Sequence, residues 1–169
     1  MKIAALVSGG VDSSLALARA ADEFGAKAIT AYYLKIWLED DGAGPGECPW
    51  EEDLGFARAV CRQLGVSLEV IPLQRQYHDL VIADTIAVLR AGGTPSPDIW
   101  CNSRVKFRAF LEAIGGSADL VVTGHYARTT GDGRLWTAPD PVKDQTYFLS
   151  GLSAAQVSGI RFPIGDLPK

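Results

Sequence analysis

The chain is poor in the residues that build metal and disulfide frameworks: of its 169 residues three are cysteine, two histidine and one methionine. Cys48, Cys61 and Cys101 are odd in number and form no CxxC pair, which argues against a disulfide framework and a four-thiolate zinc site. No His or Cys stands at ligand spacing from His78, so that residue reads as solvated or capping. No apolar run approaches the roughly 18 residues of a membrane span, and the N-terminus starts a strand without the layout of a signal peptide, so a cytoplasmic protein with no membrane partner is expected. There is no surplus of positive charge either. Sixteen Lys and Arg against twenty Asp and Glu give a formal net charge of −4, so no global basic field draws the chain to nucleic acid. Any RNA contact then needs a local basic face or something supplied from outside this chain. Repeats and low-complexity tracts are lacking, and 47% apolar with 21% charged residues is the composition of one globular domain.

What is there is organised around Val7-Ser8-Gly9-Gly10-Val11-Asp12-Ser13-Ser14. The apolar run Ile3 to Val7 precedes it and Leu15 to Ala20 follows, so the pattern is strand, glycine turn, helix start. Two glycines let the backbone bend without Cβ clashes, and the amides and dipole of the helix start attract an anion. Ser8, Ser13 and Ser14 add hydroxyls at the same place. No lysine follows the glycines, so this is not a Walker A loop. It is similar to the SGGxDS loop of enzymes that split ATP between its α and β phosphates. The plainer reading is a glycine turn capped by Asp12 and Ser13.

Residues 13–24 carry apolar positions at helical spacing and end at Gly25, and 28–34 reads as a buried strand, giving a right-handed βαβ unit. An acidic, Gly- and Pro-rich loop is expected over 38–50, then a helix over 51–64 with Cys61 on its buried face, a strand over 66–73 and an amphipathic helix over 75–90. Pro95 and Pro97 bar helix and ladder around Ser96, so the next helix is expected to start at Asn102 and run to Ile114. Cys101 then stands at a helix N-terminus with cations one turn on, which should lower its pKa and make it a nucleophile; the alternative is a small buried residue. A strand over 119–123, a hairpin over 127–137, short helices at 146–149 and after Ser153, and a tail over 162–169 without a final element complete the reading. The architecture expected is α/β: an open, mostly parallel Rossmann-like sheet with helices on both faces and a nucleotide at the carboxyl ends of its strands.

Several separated segments resemble one family, the tRNA-specific 2-thiouridylases of the MnmA type: Ser8 to Ser14; Leu34-Lys35 with Trp37; Thr94-Pro95 with Pro97-Asp98-Ile99 and Cys101-Asn102; Lys106-Phe107; Thr123 to Arg128; Lys143-Asp144-Gln145 with Tyr147-Phe148-Leu149; and Phe162-Pro163 with Gly165. The glycine loop alone would indicate only an ATP pyrophosphatase; the segment around Cys101 narrows the resemblance to thiolation.

The resemblance implies that residues 1–169 are the ATP pyrophosphatase (PP-loop) domain of an adenine nucleotide alpha hydrolase-like fold. It implies ATP on Val7, Ser8, Gly9, Gly10, Val11, Asp12, Ser13 and Ser14, with Leu34 and Gly124 holding adenine. Asp12 would contact magnesium. The 2-carbonyl oxygen of a tRNA wobble uridine attacks the α phosphorus, pyrophosphate leaves, and sulfur from a persulfide then displaces AMP. Cys101 matches the first of two catalytic cysteines. Asp98 would orient the loop or, in an iron–sulfur version, act as a ligand. Lys143, Asp144 and Gln145 match a segment that contacts tRNA. A sulfur-carrier protein or cysteine desulfurase relay is the implied sulfur source.

The family's second cysteine and its central and C-terminal tRNA-gripping domains have no counterpart in these residues. A fragment of a longer chain, a short form using Cys48, another protein's cysteine or free sulfide, and a diverged adenylating domain with another acceptor are all compatible with that. Two further readings stay open: a pyrophosphatase acting on a small molecule, and a nucleotide-binding module without catalysis.

Overall fold

A computed structural model describes residues 1–36 and 49–169. The loop expected over 38–50, with Cys48, falls almost entirely outside them.

Five parallel strands form the sheet: β1 (Ile3–Val7), β2 (Ile29–Lys35), β3 (Ser67–Pro72), β4 (Leu120–Val122) and β7 (Ile160–Arg161), in the order β3-β2-β1-β4-β7. Helix α1 (Val11–Phe24) joins β1 to β2, and α2 (Pro49–Leu64) leads into β3. Two long helical segments, α3 over 74–90 and α4 over 97–113, fill the connection to β4. The hairpin β5 (Arg128–Thr129) and β6 (Leu135–Trp136) is antiparallel and separate from the sheet. A 3₁₀ turn (Thr146–Leu149) and α5 (Ala154–Ser158), closed by a Ser153/Gln156 capping box, precede β7.

Strand alternation sorts the core into two layers. Ile3, Ala5 and Val7 of β1 join Leu17 and Ala20 of α1 and Leu54, Ala57 and Cys61 of α2 on one face. Ala4 and Tyr32 join Val81, Val105, Phe107 and Phe110 of α3 and α4 on the other. Phe110, fully buried, meets the Tyr32 ring edge-on at 5.1 Å. Helices therefore cover both faces, as the near-continuous apolar strands require. Cys61, at 2% exposure, is the buried apolar residue its helical position indicates.

Two local expectations are corrected. Helix α1 begins at Val11, two residues earlier than the apolar spacing suggested, with Gly10 as its N-cap. Helix α4 begins at Pro97 and not at Asn102, because proline is tolerated in the first turn, where its missing N–H has no intrahelical acceptor to serve. From Cys101 to Ala109 it is wound as a π-helix, Phe110 N–H donating to Val105 O. Strand β7, paired with β4, is an element the residue pattern did not show; beyond it, residues 162–169 form no further helix or strand, as expected, although Phe162 and Ile164 are buried.

Candidate nucleotide site

Strand order reverses between β1 and β4, the place where an open parallel sheet leaves a crevice at its carboxyl edge. A cavity of about 360 Å³ lies there, walled by Leu6, Val7, Ser8, Asp12, Ser13, Tyr33, Leu34, Ile36, Asp53, Lys106, Thr123, Gly124, His125 and Gln145. Its size is within the range of small-ligand sites.

The glycine loop is built by close approaches that exclude side chains. Gly9 has φ +80°, and a Cβ there would stand 2.2 Å from the Asp53 carbonyl oxygen of α2. A Cβ on Gly124 would stand 2.7 Å from the Ser13 nitrogen, so the end of β4 is pressed onto the first turn of α1. Ser13 Oγ donates to Gly10 O at 3.0 Å and accepts from Ser8 N–H at 3.1 Å, and Ser14 Oγ donates to Gly10 O at 2.9 Å. The hydroxyls of Ser13 and Ser14 thus brace the turn. Ser8, exposed at its crest, faces the cavity.

Asp12 is tied from two directions. Tyr126 Oη donates to Asp12 Oδ1 at 3.2 Å, and Lys169 Nζ lies 2.6 and 2.7 Å from the two carboxylate oxygens. The Tyr126 hydroxyl is pushed up in pKa, first by burial and then by the Asp12 charge. His125 stands half-buried in the cavity wall: burial, then the charges of Lys106 and Lys143, press its pKa down to about 3, so the ring is neutral at neutral pH. Its Nδ1 shares a 2.8 Å hydrogen bond with Thr123 Oγ1.

Of the residues expected to hold ATP, Val7, Ser8, Asp12, Ser13, Leu34 and Gly124 line the cavity, while Gly9, Gly10, Val11 and Ser14 form the turn and helix start behind it. Gln145 lines it as well, and also accepts from Tyr126 N–H through Oε1 while its own N–H donates to Tyr126 O. Asp144 is occupied as a turn brace: burial opposes its charge, yet bonds from Thr146 and the Ala138 N–H hold its pKa below the usual carboxylate range. Lys143 is half-buried, and its charge reaches His125.

Cys101 is not among the lining residues. It lies in the second turn of α4, 8% exposed, its N–H bonded to Pro97 O and Asp98 O. The expected low pKa is corrected: burial raises it, Lys106 lowers it less, and Asp98, exposed in the first turn, adds to the rise. The lowering rested on a cysteine at a helix end; Cys101 sits a turn further in, among packed side chains of the α3–α4 layer.

Among the described residues no group of three His, Cys, Asp or Glu is placed to hold a metal. The side chains of the described residues at the site do not fit an iron–sulfur cluster. Magnesium fits only as a companion of the nucleotide's phosphates, with Asp12 the loop's carboxylate. Asp53, Tyr33, Lys106, His125, Tyr126 and Lys169 were not anticipated as site residues. Lys106-Phe107 and Gly124-His125-Tyr126 carried a signal through the resemblance; Asp53, Tyr33 and Lys169 reach the site only through the fold.

The model of the tRNA methyl transferase HUP domain matches residues 1–169. The chain belongs to this family. The HUP domain here is 44% identical over 172 residues to the tRNA-specific 2-thiouridylase MnmA of Porphyromonas gingivalis, covering 100% of this chain and 47% of that protein. It is 46% identical to MnmA 2 of Bacteroides fragilis and 45% identical to MnmA 1 of Bacteroides thetaiotaomicron, covering 48% and 47% of them. The chain thus spans about half the length of the curated relatives it matches. A solved structure with weaker likeness is a glutamine-dependent NAD+ synthetase from Acinetobacter baumannii in complex with ADP. Its TM-score is 0.46 at 22% identity, over 71% of this chain and 20% of that one.

Proposed function

We propose that this HUP domain binds ATP in the cavity at the carboxyl edge of β1, β2 and β4 and activates a tRNA wobble uridine for 2-thiolation. The observation that carries the reading is the glycine loop itself: Gly9 and Gly124 are packed so closely on backbone that the start of a fourteen-residue helix is left facing the cavity. Such a helix start favours phosphate. Leu34, Ile36 and Tyr33 offer an apolar wall for the adenine, and the relatives' names supply the reaction.

In this reading the uridine 2-oxygen attacks the α phosphorus, the bond to the β phosphate breaks and pyrophosphate leaves. Magnesium, when bound with ATP, neutralises charge on the leaving phosphates. A persulfide sulfur then attacks C2 and AMP leaves with the former carbonyl oxygen. The Cys101 thiolate attacks the donor's inner sulfur, forming a disulfide with it and leaving the second sulfur on the base. The donor's cysteine comes from outside the described residues, and a later reduction restores both thiols. Asp98, one turn before Cys101, faces solvent at the mouth of this helix and orients the approach; Lys143, half-buried two residues before the cavity-lining Gln145, meets the tRNA backbone, and Gln145 and Asp144 hold the segment in shape. Residues 1–169 act as one catalytic domain, and tRNA is gripped chiefly by parts beyond them.

The test is tRNA incubated with the protein, ATP, magnesium and sulfide or a persulfide donor, then digested and weighed. An oxygen-to-sulfur mass change on uridine that needs ATP, and that Cys101→Ser abolishes while ATP binding persists, supports the reading. A mass change of one added methylene, or thiolation retained by Cys101→Ser with the persulfide donor, contradicts it.

A further inference from the structure

The glycine loop carries no cation of its own. The cavity's charged lining is Asp12, Asp53 and Lys106, and His125 is neutral, so the lining is net negative where a triphosphate would lie. A further positive charge reaches the loop from residue 169. Lys169 Nζ sits on Asp12 of the loop, 157 positions away in sequence, and 5.8 Å from the centre of the Tyr126 ring.

That placement is built rather than incidental. Phe162 and Ile164 bury the tail, Leu167 packs against the α1–α2 layer, and Leu167 N–H donates to Ile164 O in a turn. The Lys169 N–H is then fixed at 2.8 Å on Asp140 Oδ2, whose other oxygen accepts from Val142 and Lys143 N–H. Tail, Asp140 and the Lys143 segment therefore form one brace that aims an ammonium group at the first turn of α1. Its side chain remains 48% exposed, so the ammonium is open to a ligand.

We propose that Lys169 is the phosphate-binding cation of this site, taking the pyrophosphate end of ATP and releasing Asp12 from its ion pair as nucleotide binds. The inference rests on the proposed ATP site and adds to it the residue that distinguishes triphosphate from monophosphate. The Asp12 bond keeps the Lys169 ammonium protonated above its ordinary range, so the cation is present before the ligand arrives. A compact ammonium suits a point contact with phosphate oxygen.

The experiment measures affinities for ATP with magnesium, pyrophosphate and AMP by titration calorimetry. In Lys169→Ala, ATP and pyrophosphate should weaken roughly 10- to 100-fold, the span of a charge-assisted hydrogen bond, while AMP changes little and thermal unfolding stays close to the parent. Lys169→Arg should recover most of the loss. The same substitution in an Asp12→Asn background separates direct contact from charge masking: the ATP loss should persist there. An unchanged ATP-to-AMP ratio in Lys169→Ala, or a loss that vanishes with Asp12→Asn, overturns the inference while leaving the ATP site standing. A parent protein that binds none of the three overturns both.

Discussion

Gly124 at the end of β4 rests on the Asp12–Ser13 peptide of α1, so that any Cβ would stand 2.7 Å from the Ser13 nitrogen and 2.8 Å from the Asp12 carbonyl. This contact couples the fourth strand to the glycine loop, which follows the first. Gly124→Ala must push backbone from backbone, and it should cost about 1–3 kcal/mol of stability together with nucleotide affinity. Urea unfolding and ATP titration of the variant check this; an unchanged midpoint and affinity would show that the two segments separate freely.

His125 offers a pH signature. Its folded pKa, about 3, lies below the ordinary 6.5, so the unfolded chain binds a proton that the folded chain refuses over that interval. Its contribution is complete above 6.5 and falls away as pH drops, with a slope of up to about 1.4 kcal/mol per pH unit. Unfolding free energies at several pH values between those limits should rise with pH, more steeply in the parent than in His125→Gln. Imidazole resonances of His125 that titrate near 6.5 would contradict the burial argument.

Cys101 should be a slow thiol in the resting protein. Burial raises its pKa more than Lys106 lowers it. Alkylation at neutral pH, followed by peptide mass mapping, should label Cys101 more slowly than a free cysteine, with the rate climbing well into the alkaline range. A rate already at its plateau at neutral pH would restore the activated-thiolate picture.

The β1–α1–β2 unit was legible because its signals are local: an apolar run, two glycines, and helical spacing up to Gly25. Two-sided covering of the sheet was legible from the unbroken apolar strands. The start of α4 was misplaced because proline reads as a breaker, although at a first helical position it breaks nothing. Strand β7 has only two residues, Ile160 and Arg161, and is a strand because β4 lies beside it; Thr123 N–H donates to Arg161 O. The environment of Cys101 and the reach of Lys169 to Asp12 depend on packing between elements far apart in sequence, which residue patterns do not encode.

The layer beneath the site sets its rigidity. Phe110 is fully buried and supports Tyr32 of β2 beside the α3–α4 face. Phe110→Ala should cost about 3–5 kcal/mol. Thermal or urea unfolding measures it, and a loss under about 1 kcal/mol would mean that the α3–α4 layer is loosely packed and collapses into the gap.

The most direct test of the account is the position of ATP cleavage. With ATP labelled at the α phosphate, magnesium and unmodified tRNA, the protein should yield labelled AMP and unlabelled pyrophosphate, dependent on the tRNA. Labelled ADP with orthophosphate, or AMP formed equally well without tRNA, would contradict it.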